Sequence, residues 1–327
     1  MLFPQKPVMI EGEICWKGRD GMPEGGSSYF GSVRFFKNMI LLVVIVAIAV
    51  PASVAVVRGG QTEQLRENTE QLKHEFQAVT DQLAELQEEE AKRLGVDTIP
   101  YQSMYPDFYA PEPLPVPETT SKVIYLTFDD GPSKRTPEIL SILREKDVKA
   151  TFFVIGHTDE QSLQWMKDIV AEGHTIAMHT FSHRYTDIYA SVENYLADMY
   201  QLFVLIKETT GVEPSIFRFP GGSINGYNKG VYQELEAEML RRGFVPYDWN
   251  LSSGDASGTK ITAAQIVNNV VGSADGLESG IVLMHDSEPK VSTVESLVPM
   301  IDQLREKGYT FDKLTSSVQP VLFGYRD

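Results

Sequence analysis

Two adjacent aspartates, Asp129 and Asp130, end the apolar run VIYLTFDDGPS from Val123 to Ser133. Like charges at the mouth of a buried strand repel each other and are costly to desolvate. The pair therefore serves either as a cap for the following turn or as chemistry. Two histidines four residues apart, His179 and His183 in HTFSH, have the spacing that puts both imidazoles on one face of a helical turn, facing a single ion. Two imidazoles and one carboxylate leave positions on a metal for water and substrate, which is the pattern of a catalytic site. The acid pair then divides its labour: one carboxylate ligates a divalent cation, which relieves most of the like-charge cost, and the other stays free to accept a proton. His285, in IVLMHD, follows an apolar strand, where a histidine is commonly a satisfied core residue. Asp248 stands at the neighbouring strand end, and a carboxylate beside an imidazole fixes its tautomer and raises its pKa, making an acid opposite a carboxylate base. His174, in EGHTIAM, sits at a helix-to-strand turn away from these residues and reads as structural; His74 and His157 read as solvated, and Lys134 and Arg135 as surface.

The elements that must position these residues follow from hydrophobic periodicity. From about Lys122 onward, strand patterns (VIYLTF, ATFFVIG, HTIAMH, SIFRF, FVPYDW, GIVLMH, YTF) alternate with amphipathic helical stretches such as TPEILSILREK and VENYLADMYQLFVLIKETTG. Gly173, Gly211, Gly243 and Gly308 close four of the helices. Repeated βα units imply a parallel sheet, open and doubly wound or closed as a barrel. The chemical residues then share one rim. Asp129 and Asp130 end the first strand and His179 the third. Arg218 ends the fourth, ahead of Pro220, Gly221 and Gly222. Asp248 and Trp249 end the fifth, and His285 and Asp286 the sixth. The C-terminal edge of a parallel sheet is where α/β proteins build active sites.

The remainder of the 327-residue chain reads as a delivery system. A formal net charge of -16 leaves no basic patch for phosphates, which excludes nucleic acid as the expected partner, and the single cysteine, Cys15, excludes an intramolecular disulfide. Residues 1–38 are glycine-rich and aperiodic, a disordered cytoplasmic tail. Residues 39–57 carry no charge over about the length of a membrane-spanning helix, and Arg34 and Lys37 precede them, so the positive-inside rule places everything after Arg58 outside. A cleaved signal peptide, processed near Ser53–Ala55, is the competing reading. Residues 58–99 form a helical stalk in which Leu65, Leu72, Val79 and Leu86 recur every seven positions, with Thr69, Phe76 and Leu83 four behind. The spacing fits a dimerising coiled coil or a single solvated spacer. Residues 100–121, with Pro106, Pro111, Pro113, Pro115 and Pro117, read as a stiff linker to a payload at 122–327.

In this order TFDDGPS, HTFSH, RFPGG, DW and LMHD resemble the five motifs of polysaccharide deacetylases, carbohydrate esterase family 4 or the NodB-homology domain, over Lys122 to Asp327. The resemblance implies a distorted (β/α)7 barrel and hydrolysis of N-acetyl groups on a sugar polymer, with zinc, or cobalt, as the cofactor. It makes Asp129 the catalytic base and Asp130, His179 and His183 the metal ligands. Arg218 orients Asp129, Pro220 shapes the groove wall, and a backbone N–H at Gly221 holds the oxyanion. Asp248 tunes His285, the general acid, while Trp249 forms a wall for the acetyl methyl and Leu283 lines its pocket. Many members carry a tyrosine where this chain has Gly221, so the groove is expected to be wider and bare there. The segment NLSSGDAS is similar to a subgroup of anchored Gram-positive proteins. Together with the anchor, the resemblance leads to the expectation of an extracellular deacetylase of peptidoglycan N-acetylglucosamine. The competing readings are action on N-acetylmuramic acid, chitin-like oligomers or another exopolysaccharide, an O-acetyl esterase, and a barrel that binds glycan without turnover.

Overall fold

The computed structural model describes residues 99–323, apart from 113, 119 and 258–259, together with positions 70–72, 74–75 and 78. Those earlier positions are helical, within the stretch expected to form the stalk; the tail, the run at 39–57 and the rest of the heptad seam lie outside the described residues. Among the described residues no helix is long and apolar enough to cross a membrane. The chain divides into two units, Met1–Asp97 and Thr98–Asp327, and the second carries the sheet.

That sheet is parallel throughout. It comprises β1 (Val123–Gly131), β2 (Thr151–Val154), β3 (Thr175–Met178), β4 (Ile216–Phe217), β5 (Val245–Pro246), β6 (Leu251–Ser252), β7 (Ser279–His285) and β8 (Thr310–Asp312). The path runs β5-β4-β3-β2-β1-β7-β6, and β8 pairs with the start of β1. Between the strands lie α1 (Thr136–Glu145), α2 (Glu160–Ala171), α3 (Tyr185–Ile188), α4 (Val192–Thr210), α5 (Tyr232–Arg241), α6 (Ala263–Ser273) and α7 (Val291–Glu306). Every expected strand is present, and the four helix-closing glycines have positive φ, 81°, 76°, 84° and 84° in chain order. The architecture is a curled half-barrel rather than a closed one, for no ladder joins β5 to β6 among the described residues. Pro246 offers no backbone N–H, which suits β5 to an edge. The two-residue β6 carried no periodic signal.

Alternation along β1 separates the two faces. Ile124, Leu126 and Phe128 join the larger apolar layer with the helices, whereas Tyr125 packs inward with Phe153, Ala177, Ile216, Val245, Tyr247, Ile281 and Leu314. Thr127 and Asp129 follow Tyr125 on that inner side. The interior is thus apolar at the base of the strands and polar at their C-terminal rim.

Within the expected linker, residues 100–110 are docked as a strap, whereas Leu114 and Val116 are exposed. Phe108 is fully buried against Phe203 and Phe244, with ring centroids 5.2 and 4.8 Å away, and Tyr105 stacks on Tyr200 at 4.4 Å. Arg242, buried and paired with Glu238 at 2.7 Å, donates to the carbonyls of Tyr101, Met104, Tyr105 and Phe108 at 3.2, 2.8, 3.1 and 3.2 Å. Further on, the Glu118 N–H donates to the Ser317 carbonyl at 2.7 Å. The aromatic residues ahead of the proline run, Tyr105 and Phe108, supply the anchors.

Candidate active site

Successive strand residues face opposite sides, so an unbroken β1 would point Asp130 away from Asp129. The register breaks there: Asp129 pairs with Phe153 and Gly131 with Val154, leaving Asp130 as a bulge at φ 69°. A bulge re-aims one side chain, and this one brings both carboxylates to the same rim. Asp129 is 2% exposed, and its Oδ1 accepts from Arg218 Nη1 at 2.7 Å. Arg218, fully buried, also donates to Thr127 Oγ1 at 2.7 Å and to the Tyr247 and Asp248 carbonyls at 2.8 and 3.1 Å, and its guanidinium lies 4.2 Å from the Phe153 ring centroid. Burial pushes the Asp129 carboxyl above the usual carboxylate range, against the pull of Arg218 and His285.

Asp130 Oδ1 lies 3.6 Å from His179 Nε2 and 3.2 Å from His183 Nε2. Ligand atoms of these three residues all fall within 4.8 Å of one another. Asp130 Oδ1 is buried and accepts no hydrogen bond, a costly condition for a carboxylate unless a cation compensates it. His179 Nδ1 faces the Arg218 carbonyl at 2.9 Å; a carbonyl only accepts, so the proton sits on Nδ1 and the Nε2 lone pair points toward Asp130. Burial lowers the His179 pKa to about 3, keeping the imidazole in its neutral, ligating form. This donor set fits a divalent cation.

The histidine pair converges through a loop, not a helical turn as expected. His179 directly follows β3, and Thr180 and His183 take φ of 80° and 54°. Asp198 on α4 ties the loop down by accepting the N–H groups of Phe181 and Ser182, the latter at 3.1 Å. An acid in the middle of an amphipathic helix gave no sign of that task.

His285 corrects a second expectation. Its Nδ1 lies 2.7 Å from Asp255 Oδ1, and Asp255 Oδ2 accepts from the His285 N–H at 2.8 Å and Thr293 Oγ1 at 2.9 Å. Asp248 makes no hydrogen bond to His285 among the described residues. It accepts from the Ser223 N–H at 2.8 Å, from the Ser223 hydroxyl, and from the Phe323 N–H at 2.7 Å, joining the loop after β4 to the C-terminal segment. The physical reason is sheet order: β5 and β7 lie far apart in the sheet, and the chain leaving β6, the neighbour of β7, carries Asp255 to His285. Burial opposes charge on His285; the hydrogen bond and charge of Asp255, with Asp129 and Asp130 behind them, outweigh it and hold the pKa above the ordinary imidazole value. Burial likewise opposes charge on Asp255, and His285 draws its carboxyl below the usual range.

The remaining expected residues flank this centre. The Trp249 ring meets Phe323 edge-on at 4.8 Å, and Leu283 stands in β7 opposite Thr127 and Ser252. The Pro220 carbonyl accepts from the Tyr189 hydroxyl at 2.7 Å and Asn225 Nδ2 at 3.0 Å. Gly221 takes φ 78°, and its N–H donates to none of the described residues. The groove beside it is not bare, because a Cβ on Gly221 would stand 3.0 Å from the ring of Tyr185. Asp286, fully buried, accepts from Ser133 Oγ at 2.8 Å and Thr136 Oγ1 at 2.6 Å and clamps the turn after Asp130; burial pushes its carboxyl up to about 6. His174 is buried away from the rim, accepting the Ala150 N–H at 3.2 Å, with its pKa lowered to about 4 by burial.

A family model described as polysaccharide deacetylase matches residues 117–240. A peptidoglycan-N-acetylglucosamine deacetylase of Bacillus cereus is 37% identical over 195 residues, which cover 58% of this chain and 68% of that protein. Among solved structures, the catalytic domain of peptidoglycan N-acetylglucosamine deacetylase from Eubacterium rectale superposes with a TM-score of 0.61 at 37% identity, covering 65% of this chain and 97% of that one. A polysaccharide deacetylase from Bacillus cereus gives a TM-score of 0.55 at 36% identity, covering 62% and 97%.

Proposed function

The chain belongs to the polysaccharide deacetylase family, and on that premise we propose that it hydrolyses N-acetyl groups of a cell-wall glycan, N-acetylglucosamine of peptidoglycan foremost, releasing acetate. The observation that carries this reading is the buried, unpartnered Oδ1 of Asp130 facing two imidazole nitrogens, with the Asp129–Arg218 and His285–Asp255 pairs on the same rim.

Asp130, His179 and His183 would hold a divalent ion, zinc or cobalt. Such an ion, when bound, supplies Lewis acidity that polarises the amide carbonyl and makes water more acidic. Asp129 takes the proton of the attacking water. Arg218 holds one of its oxygens, the other lies 3.7 Å from His179 Nε2, and burial raises its basicity. The free N–H of Gly221 stabilises the negative charge developing on the carbonyl oxygen. His285, its Nδ1 held by Asp255, delivers a proton from Nε2 to the departing sugar nitrogen, which is too poor a leaving group as an amide anion. The charge-free run at 39–57 supports a catalytic unit held outside a membrane, where wall polymer is met.

Acetate release from purified peptidoglycan and from chitin oligomers tests the reading. The wild-type protein should release acetate, a chelator should stop it, added zinc or cobalt should restore it, and Asp129→Asn should lower it at least about a hundredfold. Full activity in Asp129→Asn removes the base, and indifference to chelation removes the metal. Glycan binding by metal-loaded protein without acetate release would make a non-catalytic glycan-binding barrel the better reading.

A further inference from the structure

Two aromatic residues from outside the five motifs meet over the loop that carries Gly221. Tyr185 opens α3 two residues past His183, and its ring stands edge-on to that imidazole, 5.4 Å between centroids at 90°. It uses the space that the glycine leaves: a Cβ on Gly221 would lie 3.0 Å from Tyr185 Cε1 and 3.3 Å from its hydroxyl. Tyr227 packs against Tyr185 at 5.1 Å and 62°, yet remains 60% exposed.

An exposed tyrosine on a loop ordinarily swings freely, but the backbone beneath this one is tied. Asn225 Oδ1 accepts the N–H groups of Tyr227 and Asn228 at 2.8 and 3.2 Å, while its Nδ2 donates to the carbonyls of Pro220 and Gly222 at 3.0 and 3.1 Å. Asn228 Nδ2 donates to the Ser223 carbonyl at 2.9 Å. One hydrogen-bonded loop therefore carries both the N–H of Gly221 and the backbone of Tyr227, whose ring rests on Tyr185.

A rigid, solvent-facing phenol beside a catalytic centre suits one kind of ligand. The C–H groups on one face of a pyranose are apolar and weakly positive, complementary to the negative face of an aromatic ring. A ring already held in place loses little freedom on binding. We infer that Tyr227, braced by Tyr185 in the space above Gly221, is the platform on which the polymer's next sugar stacks, beside the sugar that loses its acetyl group. The inference rests on the glycan-deacetylase reading. A side chain at Gly221 would be strained at φ 78° and would press on the Tyr185 ring, 3.0 Å from its Cβ.

The test uses the full chain loaded with zinc. An Asp129→Asn background that halts turnover gives the Kd of an N-acetylglucosamine monomer and tetramer, and protein with the native base gives acetate release and KM. Tyr227→Ala is expected to raise the tetramer Kd and KM about three- to tenfold and to shrink the gain in affinity from monomer to tetramer. Tyr227→Phe, which keeps the ring face, restores most of both. A tetramer Kd unmoved by Tyr227→Ala, in protein whose unfolding temperature is unchanged, overturns the platform. Tetramer binding that depends on Tyr227 but yields no acetate with the native base keeps the platform and sinks the deacetylase reading instead.

Discussion

Burial opposes charge on His285, and Asp255, which accepts from both its ring and its backbone N–H, leads the groups that outweigh it. The imidazole pKa lies above its ordinary value because that carboxylate favours the cation, so activity that requires the cation falls as pH rises through the raised pKa. Asp255→Asn keeps an acceptor for Nδ1 but removes the charge. The descending limb of the pH–rate profile should move to lower pH, and the maximal rate should drop at least about tenfold. An unmoved limb would mean that another group sets it. The types and strand-end positions of Asp129, Asp130, His179, His183, Arg218 and His285 were legible in the sequence, because residue chemistry and hydrophobic period are local properties. The partner of His285 was not. Asp255 reaches it through sheet order, and the short β6 that decides this order left no pattern to read.

At the scale of elements, period and capping indicated each of the longer helices and all but one strand. The parts that escaped are those where backbone departs from period: the bulge at Asp130, and the loop that closes His179 onto His183 through two positive-φ residues. The strap at 100–110 escaped for a different reason. Its prolines announced extended chain, while the arginine that secures it waits more than a hundred residues away at the end of α5. Arg242→Ala would take a donor from four carbonyl groups, of which only those of Tyr101 and Tyr105 keep a backbone N–H among the described residues, while Glu238 keeps Arg241 at 2.7 Å. Leaving buried acceptors without a donor costs about 1–3 kcal/mol. Denaturant unfolding should register a loss of that order, and a loss under about 1 kcal/mol would show that the strap contributes little.

For the whole molecule, the curled sheet sorts its inner face into an apolar base and a polar rim, so stability and chemistry occupy different ends of the same strands. The catalytic unit begins at Thr98, earlier than the motifs suggest, because Phe108 belongs to its core. A fragment starting at residue 98 should therefore unfold in one cooperative thermal transition. One starting at residue 122 should melt lower by several degrees or aggregate, and equal melting temperatures would refute the boundary. Beyond Phe108 the strap surfaces, with Val116 87% exposed, before Glu118 pairs again. Exposed chain of this kind is where proteases cut. They hold a substrate as an added strand through its backbone N–H groups. Glu112, Leu114 and Val116 are each followed by proline, which has no N–H and a fixed φ, so this stretch is a poor substrate despite its exposure. Replacing Pro113, Pro115 and Pro117 with alanine should open a subtilisin site there. The nicked chain should still elute as one particle on gel filtration, held by Phe108 and Arg242, and separate into two pieces only in denaturant.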